Sequence, residues 1–183
     1  MEKVVYLFLA DDFEESEALT TVDVLRRANQ NVKTVSITGD KVVRGAHNIS
    51  VLADVLFEDC KFDQVKALIL PGGMPGAETL GKHKALVDLL VKHDNSDAVI
   101  AAICAAPMVL GEAGILKDKK AVVYPGFESH LKGAAIQSDS VVVDGNIVTG
   151  KGPAAALPFA LVLAEVLAGK KVADEIKQGM CVE

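Results

Sequence analysis

Residues 98–107 read AVIAAICAAP, an uncharged run that ends in a cysteine, two alanines and a proline. Six consecutive aliphatic residues without polar alternation are typical of a parallel strand that is buried on both faces. Pro107 favours the first turn of a helix. The stretch therefore predicts a strand that ends at Cys104 and turns sharply into a helix, the arrangement called a nucleophile elbow.

Two further aliphatic runs have the same character, at Lys3–Ala10 and Lys66–Leu70. Helical periodicity lies between the runs, with one apolar face formed by Leu19, Val22, Leu25 and Ala28 and another by Leu80, Leu86, Val87 and Leu90. Alternating strands and helices predict right-handed βαβ crossovers and a parallel sheet with helices on both faces. We therefore expect an α/β fold in which residues 1–183 form a single domain.

Two turn-rich segments predict short antiparallel additions to this fold. Asp144-Gly145-Asn146 separates two runs of Val and Ile and is a strong hairpin signal, and residues 42–51 predict a second short hairpin. Two closing helices follow at about Ala154–Ala168 and Val172–Gln178, with Gly169 between them. The sheet is accordingly expected to be mainly, but not wholly, parallel.

Composition narrows the classes of function. The chain has 183 residues, a net charge of −6 and 4% aromatic residues, which disfavours phosphate-backbone binding and base stacking, so we expect no nucleic-acid partner. The longest uncharged stretch, Gly152–Ala164, is shorter than the ~20 residues of a membrane span, so we expect no membrane association either. Three cysteines without CxxC spacing, and no evident export signal, favour a reducing, cytoplasmic location.

Cys104 is the first candidate functional residue. A thiol at a helix N-terminus meets the positive end of the helix dipole and free amide groups, and both lower its pKa. We therefore predict that Cys104 is the most acidic of the three thiols. The alternative is a structural cysteine that serves as a small core residue. Cys60 and Cys181 lack a comparable context and are expected to be surface thiols without a catalytic role.

The second candidate is the loop after the Lys66–Leu70 run, which reads LPGGMPGA over residues 70–77. Gly72 and Gly73 would expose backbone N–H groups at the carboxyl end of a strand, where an α/β sheet binds its ligands. Next to an elbow cysteine, such groups could stabilise an oxyanion. An ordinary strand-to-helix loop is the alternative.

The third candidate is an acidic turn after the first strand. Its five carboxylates, at Asp11, Asp12, Glu14, Glu15 and Glu17, would repel a pyrophosphate and exclude a dinucleotide site. Asp12 and Glu15 have the spacing of a capping box, and Glu14 and Glu15 suit a helix start or a solvated surface. Glu17 differs because it could reach Cys104 from a neighbouring strand. A protonated Glu17 would then donate a hydrogen bond to the thiolate.

The histidines show no metal-binding pattern. The four histidines are His47, His83, His93 and His130. None belongs to an H-E-x-x-H motif, and none has the spacing to a cysteine that zinc sites use. We therefore expect no metal and no cofactor.

At these residues the sequence resembles the ThiJ/PfpI family and, within it, the protein deglycase branch. The matching segments are Glu14–Glu17, Val22–Ala28, Leu70–Gly73, Ala101–Pro107, Gly150–Pro153 and the closing helices. The resemblance implies a flavodoxin-like three-layer α/β/α sandwich and a homodimer. It also implies Cys104 as the reactive thiolate, Glu17 as its protonated partner, and the amides near Gly73 and Ala105 as the oxyanion site.

Two positions depart from the family pattern. Protease-like members place a histidine directly after the cysteine, where this chain has Ala105, so a cysteine peptidase is disfavoured. Some deglycase-like members carry a histidine at the position aligned with Tyr124, and we expect this tyrosine near the substrate instead. His130 is a candidate substitute for the missing imidazole, and His47 is a candidate to approach a partner's site.

Three functions follow as hypotheses. The first is a cofactor-independent enzyme that acts through Cys104 and Glu17 on methylglyoxal, glyoxal or their adducts with amines and thiols, as a glyoxalase or protein deglycase. The second is a non-enzymatic sensor of oxidative stress, or a redox-regulated chaperone, that uses oxidation of Cys104. The third is a hydrolase of small esters or peptides. The first two need the same accessible, acidic cysteine, so the sequence leaves both open.

Overall fold

The computed structural model describes residues 3–94 and 96–182, and eleven strands occur within them. They are β1 (Val4–Leu9), β2 (Val32–Ser36), β3 (Val42–Arg44), β4 (Ser50–Leu52), β5 (Val55–Leu56), β6 (Val65–Leu70), β7 (Val99–Ile103), β8 (Lys120–Ala121), β9 (Ala135–Ile136), β10 (Val141–Asp144) and β11 (Ile147–Gly150). The three strands expected from the aliphatic runs, β1, β6 and β7, each lie within one residue of their predicted limits.

Seven strands form one sheet in the order β10-β11-β7-β6-β1-β2-β5. Every neighbouring pair is parallel except β10 and β11, which are antiparallel. This confirms the mainly parallel sheet and the hairpin that turns at Gly145. The predicted second hairpin is β3 with β4, which form a separate two-stranded sheet.

Six α-helices lie within the same described residues. They are α1 (Glu15–Arg27), α2 (Gly76–Lys82), α3 (Lys84–His93), α4 (Pro107–Glu112), α5 (Ala156–Ala168) and α6 (Lys170–Gly179), and short 3-10 turns occur at Phe57–Asp59, Glu128–His130 and Pro153–Ala155. The closing helices and the helix start at Pro107 agree with the sequence.

The helices cover both faces of the sheet and enclose two hydrophobic cores. Alternate residues of β1 face opposite ways: Val5, Leu7 and Leu9 pack with α1, α5 and α6, whereas Tyr6 and Phe8 pack with α2, α3 and α4. A strand buried on both faces has no polar alternation, which explains the aliphatic runs. The three-layer α/β/α arrangement is thereby confirmed.

Two helical predictions were wrong in detail. Leu19, assigned to the buried face of α1, is 42% exposed. Leu80 and Leu86 belong to separate helices because His83 ends α2 and caps α3, its Nδ1 accepting a hydrogen bond of 3.2 Å from the N–H of Leu86. A local pattern of apolar residues shows neither where a helix is capped nor which side of the helix stays exposed.

The sheet order brings three candidate segments to one edge. Since β7, β6 and β1 are parallel neighbours, the loops after their carboxyl ends lie side by side. These loops contain Cys104, the Gly72–Gly73 turn and the acidic turn that leads to Glu17. Parallel pairing therefore assembles a site from residues that are far apart in sequence.

None of the helices in the described part of the chain combines the length and the apolar character that a bilayer span requires. The longest are α1 and α5, with 13 residues each.

Helix α5 offers a test of the packing. Phe159 is fully buried in the core that α5 shares with α1, whereas Val166 on the same helix is 43% exposed. We expect Phe159→Ala to lower the free energy of unfolding by about 3–5 kcal/mol, because it leaves a cavity. Val166→Ala should lower it by about 0.5 kcal/mol or less. Urea unfolding of both variants measures the difference, and equal losses would contradict the packing.

Candidate active site

Cys104 lies at a strained turn between β7 and α4. Its φ of 64° is in the left-handed region, which costs a residue with a Cβ roughly 1–2 kcal/mol. Two hydrogen bonds hold the turn: the N–H of Cys104 donates to the carbonyl of Gly150 at 2.9 Å, and the N–H of Tyr124 donates to the carbonyl of Cys104 at 2.8 Å. The backbone conformation is thus that of the predicted nucleophile elbow.

Glu17 is fully buried on α1 and faces this turn. Its Oε2 accepts a hydrogen bond of 2.8 Å from the N–H of Gly72, whereas its Oε1 has no hydrogen-bond partner among the described residues. Burial raises the pKa of Glu17 to about 7, against the opposing effects of the Gly72 bond and of the Cys104 side chain. A carboxyl group of this kind can both take and give a proton near neutral pH.

Gly72 and Gly73 allow this close approach. A Cβ on Gly72 would lie 2.8 Å from Glu17 Oε2 and 3.1 Å from Cys104 Sγ, so no side chain fits there. Gly73 has a φ of 90°, which strongly favours glycine. The backbone N–H groups of Ala105 and Gly73 face the Cys104 side chain and act to lower the pKa of its thiol. The structure therefore brings four of the predicted site residues together around the sulfur.

The electrostatics of Cys104 differ from the sequence-based prediction. Burial, followed by the charge of the Glu17 carboxylate, raises the pKa of the thiol to about 12, and the N–H groups of Ala105 and Gly73 oppose this rise. The prediction of a pKa below that of free cysteine is therefore wrong. Helix α4 has only six residues and begins at Pro107, so its dipole counts for less than burial beside a carboxylate. Only when Glu17 is protonated does the carboxylate charge cease to oppose a thiolate.

Tyr124 lies next to Cys104 through its backbone, and its side chain is 44% exposed. The ring lies against Gly152, where a Cβ would be 3.1 Å from Tyr124 Cδ2. It forms one wall of a cavity of about 310 Å³ that also contacts Pro125 and Pro153. The predicted position of Tyr124 beside the candidate site agrees with this geometry.

His130 belongs to a different region. Its Nδ1 lies 3.1 Å from Oε1 of Glu112, at the end of α4. Together they line a larger cavity of about 410 Å³ with Met108 and Phe127 on its apolar side. Neither Cys104 nor Glu17 is among the residues that line this cavity. The structure therefore pairs His130 with Glu112 rather than with Cys104 or Glu17.

Glu15 has a role that the sequence did not indicate. It is only 5% exposed, and its Oε1 accepts a hydrogen bond of 2.7 Å from the N–H of His47 while its Oε2 lies 2.8 Å from His47 Nδ1. Burial raises the pKa of Glu15, but the bonds from His47 and from the N–H of Ile49 outweigh it and leave the pKa below its ordinary value. Glu15 therefore fastens the β3–β4 turn to α1.

The capping box predicted for Asp12 and Glu15 was wrong. Helix α1 begins at Glu15, and Glu14 occupies the N-cap without a side-chain capping bond. Asp12 instead has a left-handed φ of 63° in the turn before the helix. The spacing of a capping box is short and common, whereas the true partner of Glu15 is 32 residues away.

One cluster within the described residues could offer three donors to a metal ion. Atoms of Glu14, Glu15 and His47 lie within 4.8 Å of one another. Both oxygens of Glu15 already have hydrogen-bond partners, so an ion would have to replace existing bonds. These side chains therefore hold the β3–β4 turn against α1.

The other two thiols lie apart from the Cys104 site. Cys60 is half-buried rather than on the surface as predicted, and its Sγ donates to the carbonyl of Leu56 at 3.4 Å. Burial raises the pKa of Cys60. Cys181 is exposed.

A model of the DJ-1/PfpI family matches residues 3–166. The chain belongs to the DJ-1/PfpI family. The protein dj-1beta of Drosophila melanogaster is 35% identical over 184 residues, covering 100% of this chain and 98% of that protein. A Caenorhabditis elegans member, named glutathione-independent glyoxalase DJR-1.2, is 30% identical over 182 residues and covers 99% and 97%.

Solved structures of DJ-1/PfpI proteins show the same flavodoxin-like fold. The crystal structure of Drosophila melanogaster DJ-1beta has a TM-score of 0.93 at 34% identity, with 100% of both chains covered. Toxoplasma gondii DJ-1, described as oxidized, has a TM-score of 0.93 at 37% identity, with 98% of each chain covered. The whole length of the chain thus follows the architecture of the family.

Glu17 makes stability depend on pH. Because burial raises its pKa to about 7, the native protein keeps a proton that the unfolded chain has already lost between about pH 4.5 and 7. Stability from this group is complete below the unfolded pKa and is lost as the pH rises through 7. We expect a loss of about 3 kcal/mol in the free energy of unfolding by pH 8.

Glu17→Gln should abolish this dependence, because glutamine still accepts the Gly72 hydrogen bond but does not ionise. The exposed Glu175→Gln is the matched control and should keep the wild-type slope. Urea unfolding at several pH values between 5 and 8 measures it. A slope in Glu17→Gln as steep as in the wild type would show that another group is responsible.

Proposed function

We propose that this DJ-1/PfpI protein is a cofactor-independent glyoxalase or deglycase that acts on methylglyoxal, glyoxal or their adducts, with Cys104 as the nucleophile. The observation that carries the proposal is the pairing of the Cys104 thiol with a buried carboxyl group whose Oε1 has no partner among the described residues. The N–H groups of Gly73 and Ala105 supply donors beside the sulfur. The relative named as a glyoxalase supports the same class of substrate.

The first step is addition of the thiol to the aldehyde. The Glu17 carboxylate takes the proton from Cys104 as the sulfur attacks the aldehyde carbon, so a C–S bond forms and the carbonyl π bond breaks. The N–H groups of Gly73 and Ala105 stabilise the oxygen as it gains charge. Glu17 then returns the proton to that oxygen, which completes a hemithioacetal.

The second step is an internal oxidation and reduction. The Glu17 carboxylate removes the hydrogen on the former aldehyde carbon as a proton, the C–H electron pair forms a C=C bond to the adjacent carbon, and the carbonyl oxygen there becomes the charged oxygen of an enediolate. The hydroxyl proton on the first carbon passes to that oxygen. Return of the proton to the second carbon gives a 2-hydroxyacyl thioester, in which the first carbon is oxidised and the second is reduced. Water then cleaves the thioester to lactate, in the case of methylglyoxal, and restores the thiol. The net reaction needs only water.

The test is production of lactate from methylglyoxal. We expect Cys104→Ser to lower kcat/KM by roughly 100-fold or more, since the nucleophile is removed. Glu17→Gln should lower kcat to a similar degree, because glutamine cannot relay a proton. Cys60→Ser is the control thiol variant and should retain wild-type activity. Equal turnover by wild type and Cys104→Ser would overturn the assignment.

A second candidate function is sensing of peroxide through oxidation of Cys104. The same N–H groups could hold the oxygens of a sulfinate, a protonated Glu17 could donate to one of them, and one solved relative is described as oxidized. Mass spectrometry after peroxide treatment distinguishes the two roles. Selective addition of two oxygens at Cys104, with no lactate formed from methylglyoxal, would favour the sensor.

We also propose that two copies form a homodimer through the side of α1 that bears Leu19. Leu19 is 42% exposed, Ile49 is 55% exposed and both line one cavity beside His47, while Leu52 on β4 is 74% exposed. Apolar side chains grouped in this way are typical of an interface. The placement also puts His47 at the edge of the proposed contact.

The dimer proposal does not rest on the charged side chains of α1. Arg27 pairs with Asp23 at 2.9 Å and Arg26 with Asp54 at 2.7 Å within the chain, so these charges already have partners inside one copy. Light scattering should therefore give twice 19.3 kDa for the wild type, and a Leu19→Asp, Leu52→Asp double variant should give 19.3 kDa. A monomeric wild type at micromolar concentration would contradict the dimer.

We place the protein in the cytoplasm because all three cysteines are free thiols, which a reducing compartment maintains.

A further inference from the structure

The cavity lined by Tyr124 lies near the turn that carries Cys104, although Cys104 itself does not line it. One wall begins at Tyr124, whose N–H donates to the carbonyl of Cys104 at 2.8 Å. Lys151, another lining residue, directly follows Gly150, whose carbonyl accepts a hydrogen bond of 2.9 Å from the Cys104 N–H. Tyr124 and the residue before Lys151 are therefore both hydrogen-bonded to the backbone of Cys104, which places the cavity close to the thiol turn.

We infer that this cavity receives the substituent of the substrate and that the ring of Tyr124 makes the protein prefer α-oxoaldehydes with an aromatic substituent. This inference rests on the proposed function for the site of attack but concerns a different property, the choice among aldehydes. The predicted preference is for phenylglyoxal over methylglyoxal.

The size and lining of the cavity favour such a group. Its volume is about 310 Å³, and a cavity of about 150 Å³ already accommodates benzene. Most of its lining is apolar, namely the ring of Tyr124 with Pro125, Pro153, Ala154 and Ala155. The methyl group of methylglyoxal would leave much of this surface exposed to water, whereas a phenyl ring would cover it.

The ring of Tyr124 is positioned to stack on an aromatic substituent. Gly152 lies on one side, where an added Cβ would be 3.1 Å from Cδ2, and the ring of Phe127 lies edge-on with 6.4 Å between ring centres. These contacts and the backbone bond to Cys104 fix the ring, which is still 44% exposed. Aromatic pairs favour offset or edge-on contacts, and a fixed ring forms them at a low entropic cost.

The role assigned to Tyr124 is one of shape, so the ring should matter and the hydroxyl should not. The measurement is the ratio of kcat/KM for phenylglyoxal to kcat/KM for methylglyoxal. We expect wild type to favour phenylglyoxal and Tyr124→Phe to keep that ratio. Tyr124→Ala should lower the ratio about tenfold or more, chiefly by raising KM for phenylglyoxal.

Two further variants sharpen the test. Gly152→Ala should also lower the ratio, because the added methyl group displaces the ring, and the extended backbone at this position, with φ 170°, accepts alanine. Val143→Ala, an exposed apolar position on β10, is the control and should leave the ratio unchanged. An unchanged ratio in Tyr124→Ala, or an equal loss in Tyr124→Phe, would overturn the inference.

Binding measured without turnover separates this inference from the proposed function. Titration of Cys104→Ser with mandelate and with lactate, the two hydroxyacid products, gives a ratio of Kd values that requires no reaction. We expect mandelate to bind about tenfold more tightly or better, and Tyr124→Ala in the same background to remove that difference. If neither aldehyde is consumed, the proposed function fails, and the two Kd values still decide whether the cavity selects an aromatic group.

Discussion

The structure depends on one costly contact: a fully buried carboxyl group, that of Glu17, placed beside the Cys104 thiol. A buried ionisable group needs hydrogen-bond partners or must stay protonated. The Glu17 carboxyl group accepts one hydrogen bond, from the N–H of Gly72, and its burial raises its pKa to about 7. The neighbouring residues leave room for this contact. Gly72 has no Cβ to separate the two groups, and the left-handed turn at Cys104 directs the thiol towards them. Three adjacent strands must therefore keep their register for the pair to exist.

This contact also decides how the thiol can act. The carboxylate and the thiolate repel each other, so ionising one disfavours ionising the other, and the pair holds one proton over a wide range of pH. A thiol with a high pKa is a poor nucleophile on its own. It becomes a good one when the neighbouring carboxylate accepts its proton during the attack. The same arrangement suits a mechanism of proton transfer better than one that relies on a permanently ionised cysteine.

The sequence predicts the parts of the site that come from residues close together in the chain. The aliphatic run before Cys104, the glycines after β6 and the acidic turn after β1 are each contiguous, and parallel pairing brings their ends together. The errors concern long-range effects. The pKa of Cys104 follows burial beside Glu17 rather than the dipole of α4, and Glu15 binds His47, a partner that no local pattern indicates. The short edge strand β5, with two residues, carries too little periodicity to be recognised.

The proposed reacting groups and the cavity near them come from different parts of the fold. Cys104, Gly73 and Glu17 follow central strands, whose positions are determined by pairing on both sides. Tyr124 lies in the segment after β8, outside the main sheet. A substitution at Tyr124 can reshape the cavity wall without moving the strands that hold the thiol. Under the proposed function, the reacting groups are therefore constrained by the sheet, while the lining of the cavity can vary through a loop.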